Sequence, residues 1–148
     1  MQNYIRAVEK MLFNYKTLKV SIENLKLLYD NKVKYGMDKN SDPFGEKSGK
    51  TNKVTSETEI FALDLVTLRE KIELLETKIL IIENALGGLN DVERDIVISK
   101  YVDGLRWFDI AYKVQYNERW CRKIKDDAVR KLCLSVFAVD IVREQQTA

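Results

Sequence analysis

Residues 107–132 read WFDIAYKVQYNERWCRKIKDDAVRKL, and their spacing decides the fold. A short helix over Trp107–Val114 would turn Ile110, Ala111 and Val114 inward. Gln115-Tyr116-Asn117 makes a tight connection, and Asn117 is a suitable N-cap because its side-chain oxygen can accept from an otherwise orphaned amide of the next turn. The helix it opens, over Glu118–Leu132, would bury Cys121, Ile124, Ala128 and Leu132. A short helix, a three-residue turn and a basic helix form a helix-turn-helix pattern. Just upstream, Asn90-x-x-Glu93 has the form of a capping box for a helix running to about Val102, and Asp103-Gly104 supplies the turn that follows.

Working towards the N-terminus, the periodicity changes character. Phe61, Leu65, Leu68, Ile72, Leu75, Ile79, Ile82, Leu86 and Leu89 follow an alternating four-three spacing. This predicts a long amphipathic helix, opened by Ser56-x-x-Glu59 as a capping box and closed by Gly87-Gly88. Tyr4, Val8, Met11, Tyr15, Leu18, Ile22, Leu25 and Tyr29 repeat the spacing, which predicts a first long helix over 1–35. Residues 36–56 carry three of the six Gly and the only Pro without apolar period, and are expected to form an exposed, mobile loop. The expected fold is all-α: a long antiparallel helical hairpin (1–88) for oligomerisation or polymerase contact, and a helix-turn-helix domain (89–148).

Composition narrows the function. The 148-residue chain is 45% hydrophobic and 32% charged, enough for a core and typical of long helices. It contains no His, which removes Ser-His and Cys-His nucleophilic sites, imidazole ligands and the commonest neutral-pH base, so an enzyme is not expected. Cys121 and Cys133 form no C-x-x-C pair and are expected to be small buried hydrophobes in a reducing cytoplasm. Glu70, Glu73, Glu76 and Glu83 lack a His three residues on, so no metal and no cofactor is expected. No run reaches the length of a membrane span, and the charged N-terminus does not read as a signal peptide.

Charge is distributed more tellingly than its net value of +2. Residues 1–35 carry a net +4 and 57–88 a net −4, complementary partners for pairing. Residues 105–132 carry a further +4 with no internal counterpart, and this points to an external polyanion. Outward positions in the first two turns of the basic helix, Glu118, Arg119, Arg122 and Lys123, are the candidates for base edges. Arg119 and Arg122 are suited to bidentate pairing with guanine. Trp120 lies one position off the inward stripe and divides evenly between core and base contact, whereas Trp107 is expected in the core. Tyr112, Lys113, Asn117, Lys125 and Arg130 flank this surface and are candidates for phosphate.

Leu89–Leu132 resembles region four of bacterial sigma factors, the module that reads promoter −35 elements. The resemblance is carried by Leu89, Glu93-Arg94, Tyr101, Gly104-Leu105, Ile110-Ala111, Arg122 with Ile124, and Ala128 with Leu132. With the N-terminal helices and polar loop, the whole chain resembles the ArpU/RinA group of phage and prophage late-gene transcriptional regulators. That resemblance implies a sequence-specific activator, a double-stranded DNA partner, contact with bacterial RNA polymerase and a nucleoid-associated place in the host cytoplasm. Gln115 stands where such turns usually have Gly, so the bend either uses a less forgiving backbone or lies a residue away; Arg106 replaces the usual Ser/Thr cap, and Glu118-Arg119-Trp120 departs from the usual start of the recognition helix. Apolar residues beyond a two-helix seam (Ile5, Leu12, Phe13, Val20, Ile60, Leu63, Val66, Ile81) and a continuation of the basic helix through Cys133, Val136, Phe137 and Ile141 need cover, either within one chain by folding 133–142 onto the hairpin or between chains as a four-helix bundle, and the homodimer is favoured. Two alternatives are a small-terminase-like packaging ring and a coiled-coil adaptor that binds sigma factor or polymerase without touching DNA.

Overall fold

The structure is a computed structural model that describes the backbone of residues 1–38 and 51–148. All regular structure among the described residues is helical: α1 (Gln2–Phe13), α2 (Tyr15–Asp38), α3 (Thr51–Gly87), α4 (Asp91–Val97) with a π-wound extension (Ile98–Val102), α5 (Trp107–Val114), α6 (Glu118–Val136) and α7 (Ala138–Thr147).

Four expected boundaries are corrected. The single first helix over 1–35 is interrupted at Asn14 (φ −87°, ψ 0°), whose amide still donates to Lys10 O and whose carbonyl accepts from Leu18 N–H. Asn competes with the helical backbone for hydrogen bonds, which makes it a natural point of interruption. The second long helix begins at Thr51 rather than at Ser56, because TNKVT contains neither Pro nor Gly to stop it. Most of the expected loop 36–56 lies outside the described residues, but 36–38 and 51–56 are helical. The basic helix does not run on to Ile141: it ends at Val136, and Phe137 (φ −113°, ψ 27°) separates it from α7.

The chain divides into two compact units that do not follow a boundary at residue 88. One comprises Met1–Leu18 and Lys78–Ala148, the other Lys19–Thr77. In the second unit Ile22 and Ile72 are buried, Lys26 pairs with Glu76 (2.8 Å) and Lys32 with Asp64 (3.4 Å). Gly36 lies against the Phe61 ring so closely that an added Cβ would meet it at 2.1 Å.

The first unit holds two apolar clusters. Val8 and Leu12 of α1, Ile82 and Leu86 of α3, and Ala128, Val129, Leu132 and Cys133 of α6 form the larger, so the first helix packs on the basic helix. Ile96, Ile110 and Cys121 form the smaller, surrounded by Val92, Leu105, Trp107, Ala111, Val114 and Ile124. Burial pushes both Cys thiols above their ordinary range, as expected of inert core hydrophobes.

The α3–α4 corner is fixed by polar contacts. The capping box is present as expected: Glu93 N–H donates to Asn90 Oδ1 (2.8 Å) and Asn90 N–H to Glu93 Oε2 (3.2 Å). Arg94 donates to the carbonyls of Leu86 (3.0 Å) and Gly87 (3.3 Å) in the last turn of α3 and of Leu89 (2.9 Å) just beyond it, tying α4 to the corner. Lys131 donates to Glu93 Oε1 from α6. Glu93 is 7% exposed, and the Lys131 hydrogen bond, with that from Asn90, outweighs burial and holds its carboxyl below its ordinary value. A depressed carboxylate stabilises the fold at neutral pH, and this contribution is lost as pH falls through the ordinary carboxylate range towards the folded value. Glu93→Gln keeps a capping acceptor but removes the charge. It is expected to cost about 1–2 kcal/mol at pH 7, the lower part of the range for charge-assisted bonds because the Lys131 end is exposed, and to flatten the acid limb of a melting-versus-pH curve. An unchanged acid limb would show that the Lys131 contact contributes nothing.

Candidate nucleic-acid interface

The candidate surface lies around the turn between α5 and α6. After α5 the chain reverses at Gln115, which adopts a left-handed conformation (φ 62°, ψ 33°). A residue with a Cβ is strained there, and Gln115 Nε2 donates back to Tyr112 O at 2.7 Å, which holds the turn closed. Of the two possibilities the sequence left open, the bend therefore falls on Gln115 itself rather than a residue away. Asn117 then caps α6 as expected: its Oδ1 accepts from Trp120 N–H at 2.8 Å. No side-chain cap bond is recorded at Arg106, whose guanidinium pairs instead with Asp109 (3.2 Å).

The capped end of α6 gathers several of the residues singled out by sequence. Asn117, Arg119, Trp120 and Lys123 line one shallow hollow, and all four are exposed. The Lys123 ammonium lies 5.0 Å from the Trp120 ring centroid, and Trp120 is 45% exposed, so it belongs to the surface. Glu118 and Arg122 are also exposed and form an i,i+4 pair at 3.5 Å. The Arg122 guanidinium is further held over the Trp107 ring (5.4 Å).

The flanking candidates separate. Tyr112 is 78% exposed on α5. Lys113 is tied to the π-wound segment, donating to the buried Ser99 hydroxyl at 3.1 Å. Lys125 is 20% exposed, paired with Asp126, and lines a groove with Arg130 and with Gln2, Arg6 and Glu9 of α1. Arg130 is exposed and 3.9 Å from Asp127. Lys125 thus stands apart from the hollow at the start of α6.

Three exposed or half-exposed residues at this end were not singled out from sequence. Phe108 is exposed at the position four before Tyr112, and Tyr116 lies in the turn; the i,i+4 spacing on α5 was the available signal for Phe108. Lys100 carries no local signal. It lies in the π-wound segment, where Asp103 N–H bonds Ile98 O (2.9 Å) across five residues, and its ammonium sits over the Trp107 ring (4.9 Å). Trp107 itself packs against the Ile96–Ile110–Cys121 cluster, as expected.

This surface offers hydrogen-bond donors and positive charge, which suits an anionic, edge-bearing ligand. Among the described residues no group of His, Cys, Asp and Glu is arranged to hold a metal, and no helix is long and apolar enough to cross a membrane. The molecule is an all-helical protein with a basic, capped helix at an exposed turn. It belongs to the DUF722 family, described as proteins of unknown function, whose profile matches residues 5–134. No curated protein and no solved structure matches the chain.

Proposed function

We propose that the protein is a sequence-specific DNA-binding regulator of transcription, an activator of phage or prophage late genes, in which α5 and α6 act as a helix-turn-helix related to sigma region four. The observation that carries this is the start of α6: a tight left-handed turn, an Asn cap, and Arg119, Arg122 and Lys123 exposed within two turns of the cap. That placement suits insertion of a helix N-terminus into a major groove, with Arg119 at a guanine edge and backbone contacts around it. Asp126 and Asp127 in the next turn favour contact through the first two turns alone.

In this proposal, α2 and α3 form an antiparallel hairpin, supported by the register of Lys26 with Glu76 and Lys32 with Asp64. Val20, Leu27, Leu63 and Leu74 are exposed on it, which supports a covering partner: a second copy, with polymerase as the further contact. Light scattering at micromolar concentration is expected to give about twice the 17.3 kDa chain mass. A monomer would overturn the dimer.

The DNA reading is tested by selecting duplexes from a randomised pool with the full chain. Arg119→Ala is expected to weaken the selected duplex by about 1–3 kcal/mol while leaving a scrambled duplex nearly unaffected. Affinity should fall with salt at a log–log slope of about −0.9 per phosphate neutralised. A pool that yields no enriched sequence, with a flat salt response, would favour the adaptor reading.

A further inference from the structure

We propose that Lys100 and Arg122, both stacked on the ring of Trp107, grip one backbone phosphate of the bound duplex, and that Trp107 is the positioning residue for both. This rests on the DNA reading and assigns Arg122 to the backbone, leaving the base edge to Arg119. The two cations come from different elements, the π-wound extension of α4 and the second turn of α6, and only the fold unites them. Their charged groups lie 4.9 Å and 5.4 Å from the same indole centroid, which puts them within about one Debye length of each other at 0.1 M salt, ~10 Å.

Two like charges held together are costly unless an anion joins them. Glu118 approaches Arg122 at 3.5 Å, but among the described residues no carboxylate is within ion-pair distance of Lys100. The ring attracts each cation through its π-face and is itself anchored against the Ile96–Ile110–Cys121 cluster. Long cationic side chains lose rotamer freedom on binding, so cations already stacked on a fixed ring lose less. A guanidinium and an ammonium on one aromatic ring, beside the capped end of α6, supply the positive charge and the N–H donors that a phosphodiester accepts. A guanidinium stacked on the protein is also less able to extend to a base edge than Arg119, for which no such stacking contact is recorded.

The test uses the full chain, the duplex selected by the wild-type protein and a scrambled duplex of equal length, each titrated across a salt series. Lys100→Ala is expected to weaken both duplexes by the same factor, about fivefold to tenfold, and to reduce the log–log salt slope by about 0.9, one phosphate's worth. Arg122→Ala should do the same, in contrast to the sequence-dependent loss from Arg119→Ala. Trp107→Leu, which keeps an apolar residue but removes the π-face, should lower the slope with both cations still present, and Trp107→Phe should restore most of it. Should Trp107→Leu lose the fold, the Lys100→Ala slope decides the proposal alone. Wild-type affinity and slope in Lys100→Ala, alongside loss of the selected duplex in Arg119→Ala, would overturn the phosphate grip and leave the groove reading standing. A loss in Lys100→Ala confined to the selected duplex would also overturn it. Absence of wild-type binding to either duplex at low salt would overturn both.

Discussion

A fragment restricted to residues 89–148 is expected to lose cooperative thermal melting, although it contains all of α4–α7. The inner face of α6, with Ala128, Val129, Leu132 and Cys133, is buried in one cluster with Val8 and Leu12 of α1 and Ile82 and Leu86 of α3. Fully burying a large aliphatic side chain contributes about 1.5–3 kcal/mol. Removing those four partners therefore removes roughly 6–12 kcal/mol, comparable with the whole stability of an ordinary domain, about 5–15 kcal/mol. The fragment also loses the end of α3 whose carbonyls accept from Arg94. A fragment of 78–148 supplemented with a peptide of residues 1–18 should recover a sharp transition, since together they make up the compact unit. If 89–148 alone melted sharply at the full-length temperature, α1 and α3 would be accessory to the fold of the basic helix.

Ile110→Ala is expected to destabilise the same unit by about 2–5 kcal/mol, from the lost transfer free energy and the cavity left behind. Ile110 is fully buried between Ile96 and Cys121, so it joins α5 to both α4 and α6. Such a loss is a large part of a typical margin, and Ile110→Val should cost only about 0.5–1.5 kcal/mol. Denaturant unfolding of the three proteins checks the order. If the DNA proposal is right, Ile110→Ala should bind in proportion to its folded fraction. A change in duplex preference at equal folded fraction would show that the cluster does more than hold α5 and α6 together. Equal midpoints for Ile110→Ala and the wild type would refute the packing argument itself.

The elements themselves were legible wherever a local rule governs them. Four-three spacing requires helices, Asn90 and Asn117 are side chains that cap by bonding amides three residues on, and Gly87-Gly88 ends α3. Gln115 was marked only as standing where such turns usually have Gly, and its φ of 62° shows that the bend falls on it rather than a residue away. Helix ends were less legible. Thr51–Thr55 and Phe137 have no decisive stop or start residue, so their state depends on what the neighbouring turns pack against.

What only the tertiary structure decided is which surfaces meet. Charge complementarity paired 1–35 with 57–88, and before the break at Asn14 Val8 and Leu12 are buried against α6 as well as against Ile82 and Leu86 of α3. Heptad spacing states that a face is apolar and cannot name its partner, because any other apolar face satisfies it. Lys125 reads as a free cation at its position in the helix, but α1 packs beside it and leaves its side chain 20% exposed. Lys100 reads as a solvated lysine, yet its ammonium sits over the Trp107 ring. The sequence by itself determined the helices, caps and turn, which depend on residues within about one helical turn of one another. The basic platform and the seat of α1 depend on contacts across tens of residues, where the physical requirement is shape and charge rather than spacing.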